Sequence, residues 1–270
     1  MWIIELVAEP FMQQALVAAL LVGYLCGLIG TLVVVKRISF VAGGIAHAAY
    51  GGVGLARYLA LPVLPTTALY SLAMALIMSW ATRQSRHRTE AVVGVIWAGG
   101  MSLGVILMQY SPGYQGDLGV WLFGSMLLIQ PSDLLWLASL SLLVSALFYW
   151  FYPLLVAVAF EEDYARARGV ATDIFYPVLY ALIALTVVLA VRVVGLLLVI
   201  ALMTIPPLLV EARSNSLAGM VVRSIGVSVG LCFVGIVLAV LLDWPPGPAI
   251  VLPACGLYML ERLFSRSRQN

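Results

Sequence analysis

The sequence predicts an all-α, polytopic integral membrane protein with about nine transmembrane helices. Its 270 residues are 63% hydrophobic and only 10% charged, with a mean hydropathy of +1.08, whereas soluble domains carry about 25% charged residues. Apolar stretches of the length that crosses a bilayer, about 20 residues each, recur along the chain and end at its charges. We expect residues 1–270 to form a single transmembrane domain.

Hydropathy and the charged or proline-rich connections set the order of the spans. The seventh span contains Pro206 and Pro207, and because two adjacent prolines remove backbone donors, we expect a break or kink near Met203 to Pro207. The apolar stretch at 118–129 is too short to cross, which predicts a re-entrant or interfacial helix. The predicted spans lie at about residues 11–35, 39–59, 63–82, 90–110, 132–152, 174–191, 194–211, 217–242 and 248–262.

The distribution of basic residues predicts the side of the membrane that each connection faces. With the N-terminus outside, nine spans put the C-terminus in the cytoplasm, and 12 of the 14 Lys and Arg residues then lie on the cytoplasmic side. Only Arg57 and Arg192 lie outside, and adding or removing one span would spoil this positive-inside bias. The cytoplasmic set is Lys36, Arg37, Arg83, Arg86, Arg88, Arg166, Arg168, Arg213, Arg223, Arg262, Arg266 and Arg268.

A densely charged segment at about 160–171 predicts a short amphiphilic helix in the cytoplasm. Acidic residues stand at its start and basic residues near its end, which suits the helix dipole, and a glycine follows as a stop. One interpretation is a solvated loop helix, and the other is a docking helix for a soluble partner. The residues concerned are Glu161, Glu162, Tyr164, Arg166, Arg168 and Gly169.

His47 is the candidate functional residue inside the membrane. It lies in the glycine-rich stretch KRISFVAGGIAHAAYGGVGL, whereas the second histidine of the chain, His87, lies in the basic stretch RQSRHR. An ionisable group within a span usually faces a bundle interior or cavity, which favours a role in a transport pathway. The alternative is an imidazole hydrogen-bonded to a neighbouring helix, with the surrounding glycines serving close helix packing.

Several classes of function are not indicated. Cys26, Cys232 and Cys255 are widely spaced in apolar sequence, which argues against a disulfide framework or a zinc site. Nothing in the charge pattern indicates nucleic-acid binding. The sequence has neither the HExxH motif of a metalloprotease nor the GxxxxGK[ST] loop of an ATPase. A proton-coupled secondary carrier stays open, although such carriers are expected to bury more acidic residues than this chain offers.

Five motifs together connect the chain to one transporter family. They are a basic pair followed by SFxxGxxxHA at 36–48, LFGS at 122–125, EEDYARARG at 161–169, VVGLLLVIALMTIPP at 193–207 and DWPPGPAIVL at 243–252. In these motifs and in their order, the chain resembles the permease subunits of ABC-type importers for zinc, manganese and iron.

The resemblance implies an assembly in a bacterial or archaeal cell membrane, the inner membrane where there are two. Two copies of this chain would form a homodimer among membrane lipids, and two cytoplasmic ATP-binding subunits would dock on the helix at about 160–171. An extracytoplasmic binding protein would deliver a divalent metal, zinc, manganese or iron. ATP would be hydrolysed by the partner subunits, so this chain would itself be no enzyme and hold no cofactor.

The resemblance also bears on the metal pathway. Members of the family often carry an aspartate four residues before the histidine of the second span, and Gly43 occupies that position here. His47 would then act with weaker ligands such as Met203, with backbone carbonyls near the proline pair, or with a second His47 across a dimer axis. A glycine-rich pathway without the aspartate would also suit a larger cargo such as haem, cobalamin or a siderophore.

Overall fold

The computed structural model describes residues 9–84, 88–111, 124, 129–160, 162–167 and 172–267. Every regular element in these ranges is an α-helix, as the sequence predicts. In chain order the helices are α1 (Pro10–Val35), α2 (Ser39–Tyr58), α3 (Val63–Gln84), α4 (Thr89–Gln109), α5 (Pro131–Trp150), α6 (Tyr152–Phe160), α7 (Glu162–Ala167), α8 (Thr172–Val194), α9 (Leu196–Glu211), α10 (Leu217–Leu242) and α11 (Pro246–Ser267).

Six of the described helices are long and apolar enough to cross a membrane, namely α1, α3, α4, α5, α8 and α10. These helices support a polytopic membrane protein. Three others lie where the sequence predicts the second, seventh and ninth spans, but they do not meet the same criteria. The glycines of α2 lower its mean hydropathy, α9 has only 16 residues, and α11 ends in charged sequence.

The proline pair does not break α9, which continues through Pro206 and Pro207 as far as Glu211. Of the predicted break or kink, the break is therefore wrong and the kink stays a prediction. The two prolines deprive the carbonyls of Leu202 and Met203 of their helical partners. Close approach of α1 covers one of these carbonyls, since a Cβ atom on Gly30 would lie 2.5 Å from the Met203 oxygen. Packing of this kind lets a helix tolerate the missing donor.

One compact unit comprises residues 1–34, 119–141 and 190–270. Here α9, α10 and α11 pack against one another, and α1 approaches α10 closely at a glycine, because a Cβ on Gly27 would lie 2.6 Å from Ile225 Cα. The predicted short helix at 118–129 lies outside the described residues except at Gly124 and Ile129. Gly124 has a φ of +72° and abuts the backbone just before α9.

The second compact unit comprises residues 35–118 and 142–189. In this unit α2 packs on α3 and α4 through glycines, as the packing interpretation of those glycines predicts. A Cβ on Gly54 would lie 2.5 Å from the Gly104 oxygen, and a Cβ on Gly104 would lie 2.6 Å from the Tyr50 oxygen. Only glycine allows the two backbones to come this close.

Residues 100–104 of α4 read GMSLG, which matches the GxSxG pattern of serine hydrolases. That pattern requires a sharp turn between a strand and a helix, whereas here it lies within a helix. Both glycines contact α2, Gly100 at Ala48 and Gly104 at Tyr50. The match therefore reflects helix packing.

Substitution of Gly104 by alanine should destabilise the protein, whereas the same change at Gly99 should not. A methyl group at Gly104 would collide with Tyr50, and relief of such overpacking costs about 1–3 kcal/mol. Gly99 is on the same helix but exposed, with no atom within 4 Å of an added Cβ. Thermal unfolding in detergent measures the difference, and equal melting temperatures for Gly104→Ala and Gly99→Ala would contradict the packing of α2 on α4.

Candidate functional site

A polar cluster centred on Glu162 holds α7 in place. Its Oε2 atom accepts a hydrogen bond from Lys36 Nζ at 3.1 Å and another from the Tyr176 hydroxyl at 2.6 Å. Its Oε1 atom lies 3.5 Å from an Arg166 guanidinium nitrogen one helical turn later. This one carboxylate therefore connects α7 to the turn before α2 and to the first part of α8.

Lys36 is the most enclosed member of the cluster. Its side chain is 9% exposed, against 22% for Glu162. Besides pairing with Glu162, its ammonium donates a hydrogen bond to the Val158 oxygen in the last turn of α6 at 2.9 Å. The ammonium also lies 5.3 Å from the ring centroid of Tyr176, which adds a cation–π contact.

A second set of contacts joins α7 to the ends of α3 and α8. Arg83 pairs with the Asp173 carboxylate and donates to the Asp173 backbone oxygen at 3.1 Å. Arg166 lies 3.9 Å from the same carboxylate and donates through Nε to Thr172 Oγ1 at 3.3 Å. The exposed residues Asp163 and Ala167 are left on the outer surface of α7.

The described residues of the predicted helix at 160–171 belong to two helices. Phe160 belongs to α6, and α7 itself runs from Glu162 to Ala167. Of the predicted coupling residues, Glu162 and Arg166 are described and both belong to the polar cluster. The others, Glu161, Arg168, Gly169 and the side chain of Tyr164, lie outside the described residues.

The sequence did not reveal the partners that fix α7. The sequence assigns Lys36 and Arg83 to the cytoplasmic side and Lys36 to a family motif, and it gives no role to Tyr176 or Asp173. Lys36 and Glu162 are 126 residues apart, so no local spacing could join them. The one feature of the sequence that could have indicated this contact is the position of Lys36 directly after the predicted first span.

The surroundings of Glu162 favour its charged form. Burial acts to raise the pKa of its carboxyl group, but hydrogen bonds from Tyr176 and Lys36, together with the positive charges of Lys36 and Arg166, outweigh burial. The pKa is therefore lowered from its ordinary value of 4.5. Glu162 is an ionised partner of Lys36 at neutral pH.

His47 lies in α2 with its ring stacked on that of Trp97 from α4. The ring centroids are 4.4 Å apart and the planes differ by 23°. Phe40 also contacts Trp97, edge-on, with the ring centroids 6.0 Å apart. His47 and Gly43, one turn apart, are both half-buried. No hydrogen bond to the imidazole is found among the described residues, and both the pathway role and the packing alternative stay predictions.

The described residues contain no group of three or more His, Cys, Asp or Glu side chains that could hold a metal ion. His47 is thus a single nitrogen donor on its helix. Met203 is fully buried in α9, where its backbone packs against Gly30. Metal contact by either His47 or Met203 stays a prediction.

The stability conferred by Glu162 should depend on pH. Because its folded-state pKa is lowered, the stabilisation is fully present above the ordinary value of 4.5 and is lost as the pH falls below that value through the folded-state pKa. The difference in melting temperature between the wild type and Glu162→Gln should therefore shrink on acidification below 4.5.

Glu90→Gln is the matched control for this experiment. Glu90 is exposed at the start of α4 and forms no ion pair within the described ranges. A gap between wild type and Glu162→Gln that stays constant with pH would show that the charge of Glu162 does not stabilise the fold.

Residues 8–265 match the ABC 3 transport family. The chain is 38% identical to the uncharacterized membrane protein slr2045 of Synechocystis sp., over 97% of this chain and 94% of that protein. It is 31% identical to the chelated iron transport system membrane protein YfeD of Yersinia pestis, over 96% and 86% of the two chains. Identity to the manganese transport system membrane protein MntC of Halalkalibacterium halodurans is 28%, over 97% and 89%.

The fold is also similar to a solved structure, PsaBC from Streptococcus pneumoniae in complex with Fab. The TM-score is 0.86 at 25% sequence identity, and the match covers 96% of this chain and 93% of that one. The family match spans nearly the whole chain, and relatives in this set are membrane proteins of metal transport systems. This chain therefore belongs to the ABC 3 transport family and is the membrane permease component of an ABC-type metal transport system.

Proposed function

We propose that the chain is the permease of an importer that moves a divalent transition metal, zinc, manganese or iron, into the cytoplasm with ATP hydrolysed by partner subunits. The observation that carries this proposal is α7, a short charged helix fixed by an enclosed ion pair between Lys36 and Glu162. Its exposed surface, with Asp163 and Ala167, is free to receive a soluble protein. A docking helix of this kind is what an ATP-driven permease requires.

The proposed topology has nine crossings, with the N-terminus outside and the C-terminus in the cytoplasm. Besides the six helices that qualify by length and composition, α2, α9 and α11 would also cross. The support is the charge bias, because this arrangement puts 12 of 14 basic residues on one side. The same arrangement puts α7 on the cytoplasmic side, where ATP-binding subunits are found.

The proposed complex contains two copies of this chain, two ATP-binding subunits on α7 and an extracytoplasmic binding protein that delivers the metal. Membership of the ABC 3 transport family supports the ATP-binding and binding-protein partners. Likeness to PsaBC supports the paired permease. A pathway between two copies would bring two His47 rings to one channel and so supply a second nitrogen donor.

The identity of the metal is the finer part of the proposal. Imidazole binds several first-row metals, so His47 alone does not choose among them. The relatives named for transport carry manganese in one case and chelated iron in another. Because Gly43 supplies no carboxylate and no cluster of metal ligands occurs in the described ranges, a larger metal chelate is the second candidate cargo.

Removal of the His47 imidazole should abolish metal uptake without dissociating the transporter. The test compares uptake of radioactive zinc, manganese and iron in a permease-deleted strain that expresses wild type, His47→Ala or His87→Ala. The His87 variant is the matched control, because it removes the one other histidine of the chain. Normal uptake by His47→Ala would show that His47 serves helix packing and not the transport pathway.

A negative charge on the outer surface of α7 should release the ATP-binding subunit. Ala167→Glu changes an exposed residue outside the polar cluster, whereas reversal of Arg166 would also break its contacts with Glu162 and Thr172. Charge introduced into a docking surface should weaken association at least about tenfold. A pull-down with the ATP-binding subunit measures this.

Ala212→Glu provides the control for the pull-down. It makes the same substitution at an exposed alanine on the same predicted side of the membrane, just after α9. Equal recovery of the ATP-binding subunit with Ala167→Glu and Ala212→Glu would show that the docking surface does not include α7.

A further inference from the structure

The contacts of Lys36 join the proposed docking helix to the helix that carries His47. Lys36 lies in the turn between α1 and α2, and α2 begins at Ser39. His47 follows eight residues later in the same uninterrupted helix, a rise of about 12 Å at 1.5 Å per residue. The hydrogen-bonded contact to α7 thus lies in the turn just before α2, and the candidate pathway residue lies in the middle of α2.

Both Lys36 and Glu162 have further hydrogen-bond partners besides each other. Lys36 Nζ has two close oxygen partners, Glu162 at 3.1 Å and Val158 at 2.9 Å. Glu162 is held in turn by the Tyr176 hydroxyl at 2.6 Å. Both charges are largely enclosed, so separating them would leave an unpaired charge away from water. A displacement of α7 is therefore resisted by the start of α2 as well as by α8.

The turn between Lys36 and α2 is short and constrained. Arg37 has a φ of +55°, in the left-handed region that residues with a Cβ rarely adopt. Ile38 follows at the N-cap, and α2 then begins. With only two residues between Lys36 and α2, one of them in a restricted conformation, the backbone of Lys36 has little freedom to move independently of the helix.

Helix α2 is suited to pass a displacement along its length. Its glycines lock it against α3 and α4 over several turns, and packed interiors deform little. At His47 the imidazole rests on Trp97 of α4. A displacement of α2 would therefore move the imidazole together with the indole that it rests on.

We propose that Lys36, Glu162 and Tyr176 are positioning residues that transmit movement of α7 to α2 and thereby to His47. The proposal rests on the proposed function, since it takes α7 as the docking helix and His47 as part of the pathway. Without the ion pair, α7 would act on the membrane helices through its chain connections to α6 and α8 and through the contacts of Arg166. Loss of the pair should therefore uncouple ATP hydrolysis from transport while leaving the complex assembled.

The test uses the full permease with its ATP-binding subunit in proteoliposomes and measures radioactive manganese or zinc transported per ATP hydrolysed. Lys36→Met removes the charge but keeps the stem over the aromatic rings, and Tyr176→Phe removes one hydroxyl. We expect each to lower the transport-to-hydrolysis ratio, Lys36→Met by about tenfold, the effect of losing one charged hydrogen bond. Lys36→Arg keeps the cation and should restore most of the ratio.

Arg213→Met is the control, because it breaks a more exposed ion pair, with Glu261 at 3.3 Å, that does not involve α7. Its ratio should equal that of the wild type. A wild-type ratio in both Lys36→Met and Tyr176→Phe would overturn the proposal, as would loss of the ATP-binding subunit from Lys36→Met in a pull-down. Failure of the wild-type permease to bind that subunit, or uptake without ATP, would instead contradict the proposed function.

Discussion

An enclosed ammonium group is the constraint on which the α7 region depends. Lys36 exposes 9% of its side chain, and a lone cation in that position would be strongly destabilising, because lost hydration would have no replacement. Glu162 supplies the opposite charge and Val158 a carbonyl acceptor. The same carboxylate accepts from Tyr176. One ion pair therefore fixes α7 against α6, α8 and the start of α2.

Close backbone contact is the complementary constraint inside the membrane. Lipid offers helices no hydrophobic reason to associate, so small residues that permit close packing become the stabilising feature. Gly54 of α2 meets Gly104 of α4 in this way. The resulting pair of helices holds His47 against Trp97. Close packing against α4 and the charged contact at Lys36 thus act on the same helix and the turn before it.

Hydropathy predicted where the helices lie, because a bilayer imposes length and apolarity on each segment directly. It left a break and a kink open at the proline pair, where contact between Gly30 and the Met203 carbonyl lets α9 continue without a break. It gave no partner for Glu162, since Lys36 is 126 residues away. The motif around His47 identified a candidate residue, but the stacking on Trp97 depends on tertiary packing that no spacing encodes.

The most direct measurement is a pair of experimental structures of the permease bound to its ATP-binding subunit, one without nucleotide and one with ATP. We predict that the subunit contacts Asp163 and Ala167 on α7, and that Lys36 Nζ and Glu162 Oε2 stay near the 3.1 Å seen here in both states while α7 and α2 move together. A subunit docked on another surface, or a broken ion pair with α7 moving independently of α2, would contradict this description.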